Sequence, residues 1–247
     1  MESRPPLIIA HRGASAYAPE NTMAAFKKAV DLSADGIEFD VKCSKDGEMV
    51  IIHDQTLERT TNGSGRVIDT NFRDLKKLDA GGYFSPDFQG EKIPLLSDVL
   101  EEFSSKLLMN IELTNYASIG DGLAKKAANL VKRMGVEKSV FFSSFHPFNL
   151  LVTKRILPKV PSAILALPGK AGTFARSNIM RWISNELVHP YFEDVDEYFV
   201  KKQHQVHRKV NVWTVNSKND IERMVDKGVD GIITDDPVLA KKIIGRL

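Results

Sequence analysis

Short apolar runs recur along this chain, separated by longer amphipathic stretches, and this rhythm limits the fold more than any other feature. The runs fall at residues 7–10, 36–41, 49–52, 107–113, 140–142, 163–167, 187–188, 210–215 and 231–234. Several are apolar at consecutive positions, the pattern of strands buried on both faces of a parallel sheet. The stretches between them carry helix signals. Met23, Phe26 and Val30 fall at i, i+3 and i+7, with Asn21 ahead of them as the expected N-cap. Ser217 and Asp220 form a capping-box-like pair before Ile221, Met224 and Val225, and Gly228 is placed to end that helix. Asp236-Pro237 reads as an N-cap and first helical residue. Residues 126–134 and 147–157 are also helix-like. Strand then helix, repeated about eight times, predicts an α/β fold with a parallel sheet. Periodicity alone does not separate an open, doubly wound sheet from a closed barrel. About eight units in 247 residues favour a (β/α)₈ TIM barrel.

One stretch breaks the rhythm. Residues 54–94 contain Thr60-Thr61-Asn62-Gly63-Ser64-Gly65, then Gly81-Gly82 and Pro86, and have little helical period. A connection this long is expected to be a functional excursion. It is read as an insertion after the second strand region, on the face that carries the loops following the strands, within one domain spanning residues 1–247. The composition suits a large core: 43% of residues are hydrophobic and 27% charged. Thirty-four basic residues against 32 acidic ones leave a net charge of +2, which argues against nucleic acid as a partner. The dense cluster of Lys201, Lys202, His204, His207, Arg208 and Lys209 reads as a solvated helix end. A single cysteine, Cys43, excludes an internal disulfide framework. No run approaches membrane-spanning length, the apolar run at 7–10 is too short for a signal peptide, and with Met1 at the head the expectation is that no targeting segment has been removed. The expected location is cytoplasmic.

In a parallel barrel the chemistry sits at the carboxyl ends of the strands. The first run ends in His11-Arg12-Gly13, the second holds Glu38 and Asp40, the third ends in His53-Asp54, and the Leu107 run ends in Asn110-Ile111-Glu112. Glu38 and Asp40, spaced i, i+2 on a strand, point to one face. Burying two carboxylates together is costly, and a divalent cation resolves the cost. With Glu112 from another strand, three carboxylates select a hard ion, Mg²⁺ or Ca²⁺. The competing reading is a structural network in which Glu38 and Asp40 pair with Arg12 or Lys42. His11 and His53, at two strand ends, suit general acid–base chemistry near neutral pH. Arg12 suits bidentate phosphate binding. Together these groups fit phosphoryl transfer.

The sequence resembles the glycerophosphodiester phosphodiesterases. The matching segments, in order, are Ala10-His11-Arg12-Gly13, Pro19-Glu20-Asn21-Thr22, Gly36-Ile37-Glu38-Phe39-Asp40-Val41, and Val50-Ile51-Ile52-His53-Asp54. They continue through Leu57-Glu58-Arg59-Thr60-Thr61-Asn62-Gly63, Asn110-Ile111-Glu112, and Gly231-Ile232-Ile233-Thr234-Asp235-Asp236-Pro237. The resemblance covers nearly the whole chain. It implies a TIM barrel with an insertion, and metal-dependent hydrolysis of glycerophosphodiesters to sn-glycerol 3-phosphate and an alcohol, within glycerol and lipid metabolism. By the same resemblance, His11 and His53 are the acid–base pair and Glu38, Asp40 and Glu112 the ligands of one divalent ion. Arg12 is the phosphate clamp and Trp213 an aromatic lining the substrate pocket, though ordinary core packing also explains Trp213. Glu20 and Asn21 are supporting residues, and Asp54 orients His53 or a neighbour.

One departure stands out. Many members of the family carry a lysine two residues after the third carboxylate, where this chain has Thr114. Lys42 is set aside as its replacement because it is read as alternating to the opposite face. His146 and His189 end strand-like runs and are weighed as substrate contacts, and His204 and His207 are read as surface residues. Two rival functions remain. A lysophospholipase D-type phosphodiesterase would need an apolar channel, for which Tyr83, Phe84 and Phe88 are available, although they equally suit a small core of the insertion. A non-catalytic phosphoester-binding barrel would bind without turnover. Apolar residues on the outer helices are consistent with a homodimer as well as with core.

Overall fold

The structure is a computed structural model and describes residues 5–118 and 120–246. In chain order the elements are β1 (Leu7–His11), α1 (Met23–Asp31), β2 (Gly36–Cys43), β3 (Met49–Ile51), α2 (Phe72–Leu75), α3 (Leu96–Phe103), β4 (Leu108–Leu113), α4 (Leu123–Met134) and β5 (Val140–Ser144). They continue with α5 (Pro147–Ile156), β6 (Ser162–Ala166), α6 (Thr173–Arg176), β7 (Leu187–Pro190), α7 (Glu197–His204), β8 (Lys209–Val212), α8 (Lys218–Asp226), β9 (Gly231–Thr234) and α9 (Pro237–Ile243). Neighbouring strands run β1-β9-β8-β7-β6-β5-β4-β2, all parallel, and β1 pairs with β2 to close the circle. This is the expected (β/α)₈ barrel.

The run at 49–52 is not a barrel strand. Within it, β3 pairs antiparallel with the end of β2, Val41 opposite Ile51 and Lys42 opposite Val50. An apolar run of four cannot declare its direction, because that depends on which edge it meets. Beyond it the excursion contains α2 and short 3₁₀ turns. It has its own core of Val50, Ile52, Leu57, Val67, Leu75, Ala80 and Ile93.

Strand side chains alternate between two environments. Those facing outward pack on the helices, where Phe26 meets Phe39 and Phe103 at ring-centroid distances of 5.6 and 5.9 Å. Those facing inward fill the barrel with Ile9, Phe141, Ala163, Leu187 and Ile233. Two of the three helix starts read from the sequence follow the expected capping. Ser217 accepts from Asp220 N and Asp236 from Leu239 N, while Gly228, at φ +76°, follows the end of α8. The cap of α1 is Thr22 rather than Asn21. Thr22 Oγ1 accepts from Ala25 N, which frees Asn21 to turn to φ +58° and aim its amide elsewhere. Gly13 sits in the turn after β1 at φ +82°, where a Cβ would lie 2.6 Å from that of Ala25. The turn holds Arg12, itself at φ +56°, over the mouth of the barrel.

Candidate active site

The strand register brings the sequence candidates together. His11 on β1 lies opposite Glu38 on β2, and Asp40 lies opposite Glu112 on β4. The inward parity of both pairs places the side chains in the mouth. Glu38, Asp40 and Glu112 each offer an oxygen within 4.8 Å of the others. Three acids this close and this buried disturb one another. Burial, then repulsion from Asp40 and Glu112, raises the Glu38 carboxyl well above its ordinary value. Burial, then Asp40, raises Glu112 to about 8. Burial acts on Asp40 in the same direction, but Arg12 and then His53 outweigh it and hold that carboxyl low. Glu38 Oε1 is buried without a hydrogen-bond partner. An orphaned carboxylate oxygen among three oxygen donors, with no thiolate nearby, fits a hard divalent cation.

Arg12 lies along the other side of the cluster. Its N–H donates to Glu38 Oε2 at 3.1 Å, Nη1 donates to Glu20 Oε1 at 2.8 Å, and Nε lies 3.3 Å from Asp40 Oδ2. Asn21 Nδ2 donates to Asp40 Oδ2 at 2.9 Å, and Asn21 Oδ1 accepts from Asp40 N. Arg12 therefore does pair with the carboxylates, as the structural-network reading expected. It does not exhaust them, since Glu38 Oε1 and the Glu112 side chain face the cluster.

Each histidine is held by a carboxylate through Nδ1. His11 Nδ1 is 2.7 Å from Asp235 Oδ1, and His53 Nδ1 is 2.7 Å from Asp54 Oδ1. With Nδ1–H donating to a carboxylate, Nε2 is the atom left for chemistry. His11 Nε2 lies 3.9 Å from Glu38 Oε2. The sequence profile of the glycerophosphoryl diester phosphodiesterase family matches residues 11–239, which spans every group just described. The chain belongs to this family.

A glycerophosphodiester phosphodiesterase of Caldanaerobacter subterraneus subsp. tengcongensis is 42% identical over 232 residues, covering 94% of each chain. Another from Bacillus altitudinis is 36% identical over 240 residues, covering 96% of this chain and 97% of its own. Among solved structures, an Oleispira antarctica phosphodiesterase in complex with the product sn-glycerol-3-phosphate superposes with a TM-score of 0.85 at 29% identity. The match covers 98% of this chain and 97% of that one.

Several contacts of this phosphodiesterase site escaped the sequence reading. Asp235 is the principal orienting group of His11, and it also accepts from Ser15 Oγ and Asn216 Nδ2. The signal was present, since Asp235 ends the β9 run as His11 ends that of β1. Arg59, in the excursion, donates to both Glu20 and Asp54, with Nη1 2.7 Å from Glu20 Oε2 and Nε 2.6 Å from Asp54 Oδ2. It joins the Arg12 side of the mouth to the His53 side. Tyr83 Oη accepts from Glu20 N at 3.0 Å. Tyr83 meets Phe84 edge-on and Phe84 meets Phe88, while Tyr83 and Phe84 stay exposed and none of the three belongs to the core of the excursion.

Trp213 is half-buried, with Nε1 donating to His189 O at 2.8 Å. Its ring meets Phe145 at 5.5 Å, and Phe145 meets Tyr116 at 5.8 Å. Tyr116 Oη in turn donates to Glu112 Oε1 at 2.7 Å. An aromatic row thus runs from Trp213 to the acidic cluster.

The structure corrects three expectations. His189 is not at the mouth. It is wholly buried inside the barrel beside Phe141 and Asn211, and burial with nearby Arg208 lowers it to about 3. In the basic cluster at 201–209, His204 and His207 are exposed as expected, but Arg208 is completely buried and its Nε donates to Leu187 O. Lys42 does not face away from the carboxylates. Positions 38, 40 and 42 share one parity, and Lys42 Nζ donates to Thr114 O at 2.8 Å and to Thr114 Oγ1 at 3.0 Å. His146 is half-buried at the start of α5, its Nδ1 without a partner.

Proposed function

We propose that this protein hydrolyses glycerophosphodiesters to sn-glycerol 3-phosphate and an alcohol. The observation that carries the reading is the juxtaposition of three buried carboxylates with an arginine and two carboxylate-held histidines. In the proposed roles Glu38, Asp40 and Glu112 hold one divalent ion, Ca²⁺ or Mg²⁺. When bound, that ion neutralises negative charge on the phosphoryl oxygens. Arg12 takes phosphoryl oxygens from the opposite side, kept in place by Glu20 and Asp40. Water adds across one P–O ester bond. One imidazole accepts the proton of the attacking oxygen at Nε2, and the other delivers a proton from Nε2 to the departing alkoxide. Asp235 and Asp54 stabilise the imidazolium that each step creates or consumes. Asn21 fixes Asp40, and Arg59 ties Asp54 to Glu20. Trp213 and Phe145 offer the apolar wall against which the substrate's carbon skeleton lies.

The same reading takes residues 1–247 as one domain, with the excursion supplying Arg59 and Tyr83 to the site. It includes a cytoplasmic location, supported by the single buried Cys43. No helix among the described residues is long and apolar enough to cross a membrane. Exposed Phe174, Ile179 and Trp182 support a homodimer, which light scattering tests. The activity test is release of sn-glycerol 3-phosphate from glycerophosphocholine by metal-stripped protein, with Ca²⁺ or Mg²⁺ restored separately. Restored release with one ion is the expected result. No release with either, or release only from lysophosphatidylcholine, defeats the proposal.

A further inference from the structure

Among the described residues, Lys42 is a buried cation without a carboxylate partner. It follows Asp40 by two residues on β2, so its side chain leaves the sheet on the face that carries the acidic cluster. It is 4% exposed. Its Nζ is anchored by two neutral acceptors at the end of β4, Thr114 O at 2.8 Å and Thr114 Oγ1 at 3.0 Å. The Thr114 hydroxyl spends its own proton on Val41 O at 2.9 Å, so it offers only a lone pair to Lys42. An ammonium has three N–H groups, and these anchors use two. Among the described residues no carboxylate oxygen lies within 4.0 Å of Nζ. The charges of Asp40, Glu112, Asp54 and Asp121 nevertheless act on it. A buried ammonium bound only to neutral oxygens is costly unless an anion comes to it. The anchor, Thr114, is also the position at which the family resemblance leads one to expect a lysine.

We propose that Lys42 is the second fixed cation of the phosphoryl site, donating its third N–H to a phosphoryl oxygen of the bound diester. The charge reaches the site from β2, held by Thr114, instead of from β4. Arg12 and Lys42 then flank the phosphate from different strand ends, and Thr114 acts as the positioning residue. The inference rests on the proposed function, but its test does not depend on turnover alone.

The first variant is Lys42→Gln, whose amide still reaches Thr114 O while the charge is lost. Glycerophosphocholine kinetics and calorimetric binding of sn-glycerol 3-phosphate are both measured on the metal-loaded protein, with thermal unfolding alongside. Loss of a charge-assisted hydrogen bond predicts about 10- to 100-fold weaker product binding and a similar fall in kcat/KM. The double variant Lys42→Gln/Thr114→Lys returns the charge from β4 and is expected to recover binding to within about fivefold of the parent. Binding within twofold of the parent in Lys42→Gln overturns the proposal. So does a double variant that folds but stays as weak as the single one, because a tether between β2 and β4 explains that result. If Lys42→Gln does not fold, Thr114→Val tests the same point. It leaves the charge but removes one anchor, and product binding unchanged from the parent overturns the proposal. A parent that binds sn-glycerol 3-phosphate but turns over no diester defeats the functional reading while leaving this test intact.

Discussion

Lowering the pH is expected to expel the divalent cation, and Glu112 sets the size of the effect. Burial, then repulsion from Asp40, raises its carboxyl to about 8. A cation binds the carboxylate, so the proton of the neutral acid must leave first. The sign follows: the metal-free fold holds this proton up to about pH 8, and cation affinity rises with pH until the proton is gone. For one such group the ionised fraction is about one half at pH 8 and about one hundredth at pH 6. Apparent affinity should therefore fall about 50-fold between pH 8 and pH 6, and further if Glu38 contributes a second proton. Calorimetric titration of Ca²⁺ or Mg²⁺ into metal-free protein, in two buffers of different ionisation enthalpy, reads affinity and proton release together. About 0.9 proton from Glu112 should be released at pH 7. Three carboxylates with ordinary values would release almost none. An affinity flat from pH 6 to 8, with no proton released, would refute the argument that mutual repulsion in a buried cluster loads these acids with protons.

Replacing His11 or His53 with Ala should lower kcat by about 10²- to 10⁴-fold with unchanged thermal unfolding; a rate within threefold of the parent removes that residue from the mechanism. Asp235→Asn keeps the shape but not the charge that holds His11, so kcat should fall about 10- to 100-fold with thermal unfolding unchanged. A kcat within threefold of the parent would show that Asp235 is only structural. His189 is neutral in the fold down to about pH 3, because burial and then Arg208 oppose its protonation, while in the unfolded chain it takes a proton near 6.5. The unfolded state therefore binds more protons, and the stability His189 contributes above pH 6.5 is lost as pH falls. Between pH 6.5 and 4.5 that loss is about 2 kcal/mol. Urea unfolding of parent and His189→Asn at the two pH values checks it, and equal losses in both would contradict the assignment.

The alternation of apolar runs and helical stretches was enough to predict a parallel α/β fold, and the count of about eight units favoured the closed barrel. Strand parity depends only on sequence spacing, so it also put Glu38 and Asp40 on one face. His11 and Glu112 could be picked out because a barrel gathers strand ends at one mouth, whereas His53 arrives there because β3, antiparallel to β2, brings the chain back beside Asp40. The same parity rule, applied to Lys42, contradicts the face first assigned to it. What spacing could not supply was partnership. Asp235 reaches His11 only because β9 closes against β1, 224 positions away. Arg59 reaches Glu20 only because the excursion folds back over the mouth on its own small core. The direction of β3, the exchange of capping duty from Asn21 to Thr22, and the burial of Arg208 and His189 have the same origin. Each depends on which surface a short segment meets once the barrel is closed. Local sequence determines periodicity and which side chains are available, because both belong to a few consecutive residues. Tertiary closure determines which of those side chains lose water, and with it their charge, because desolvation comes from neighbours distant in the chain.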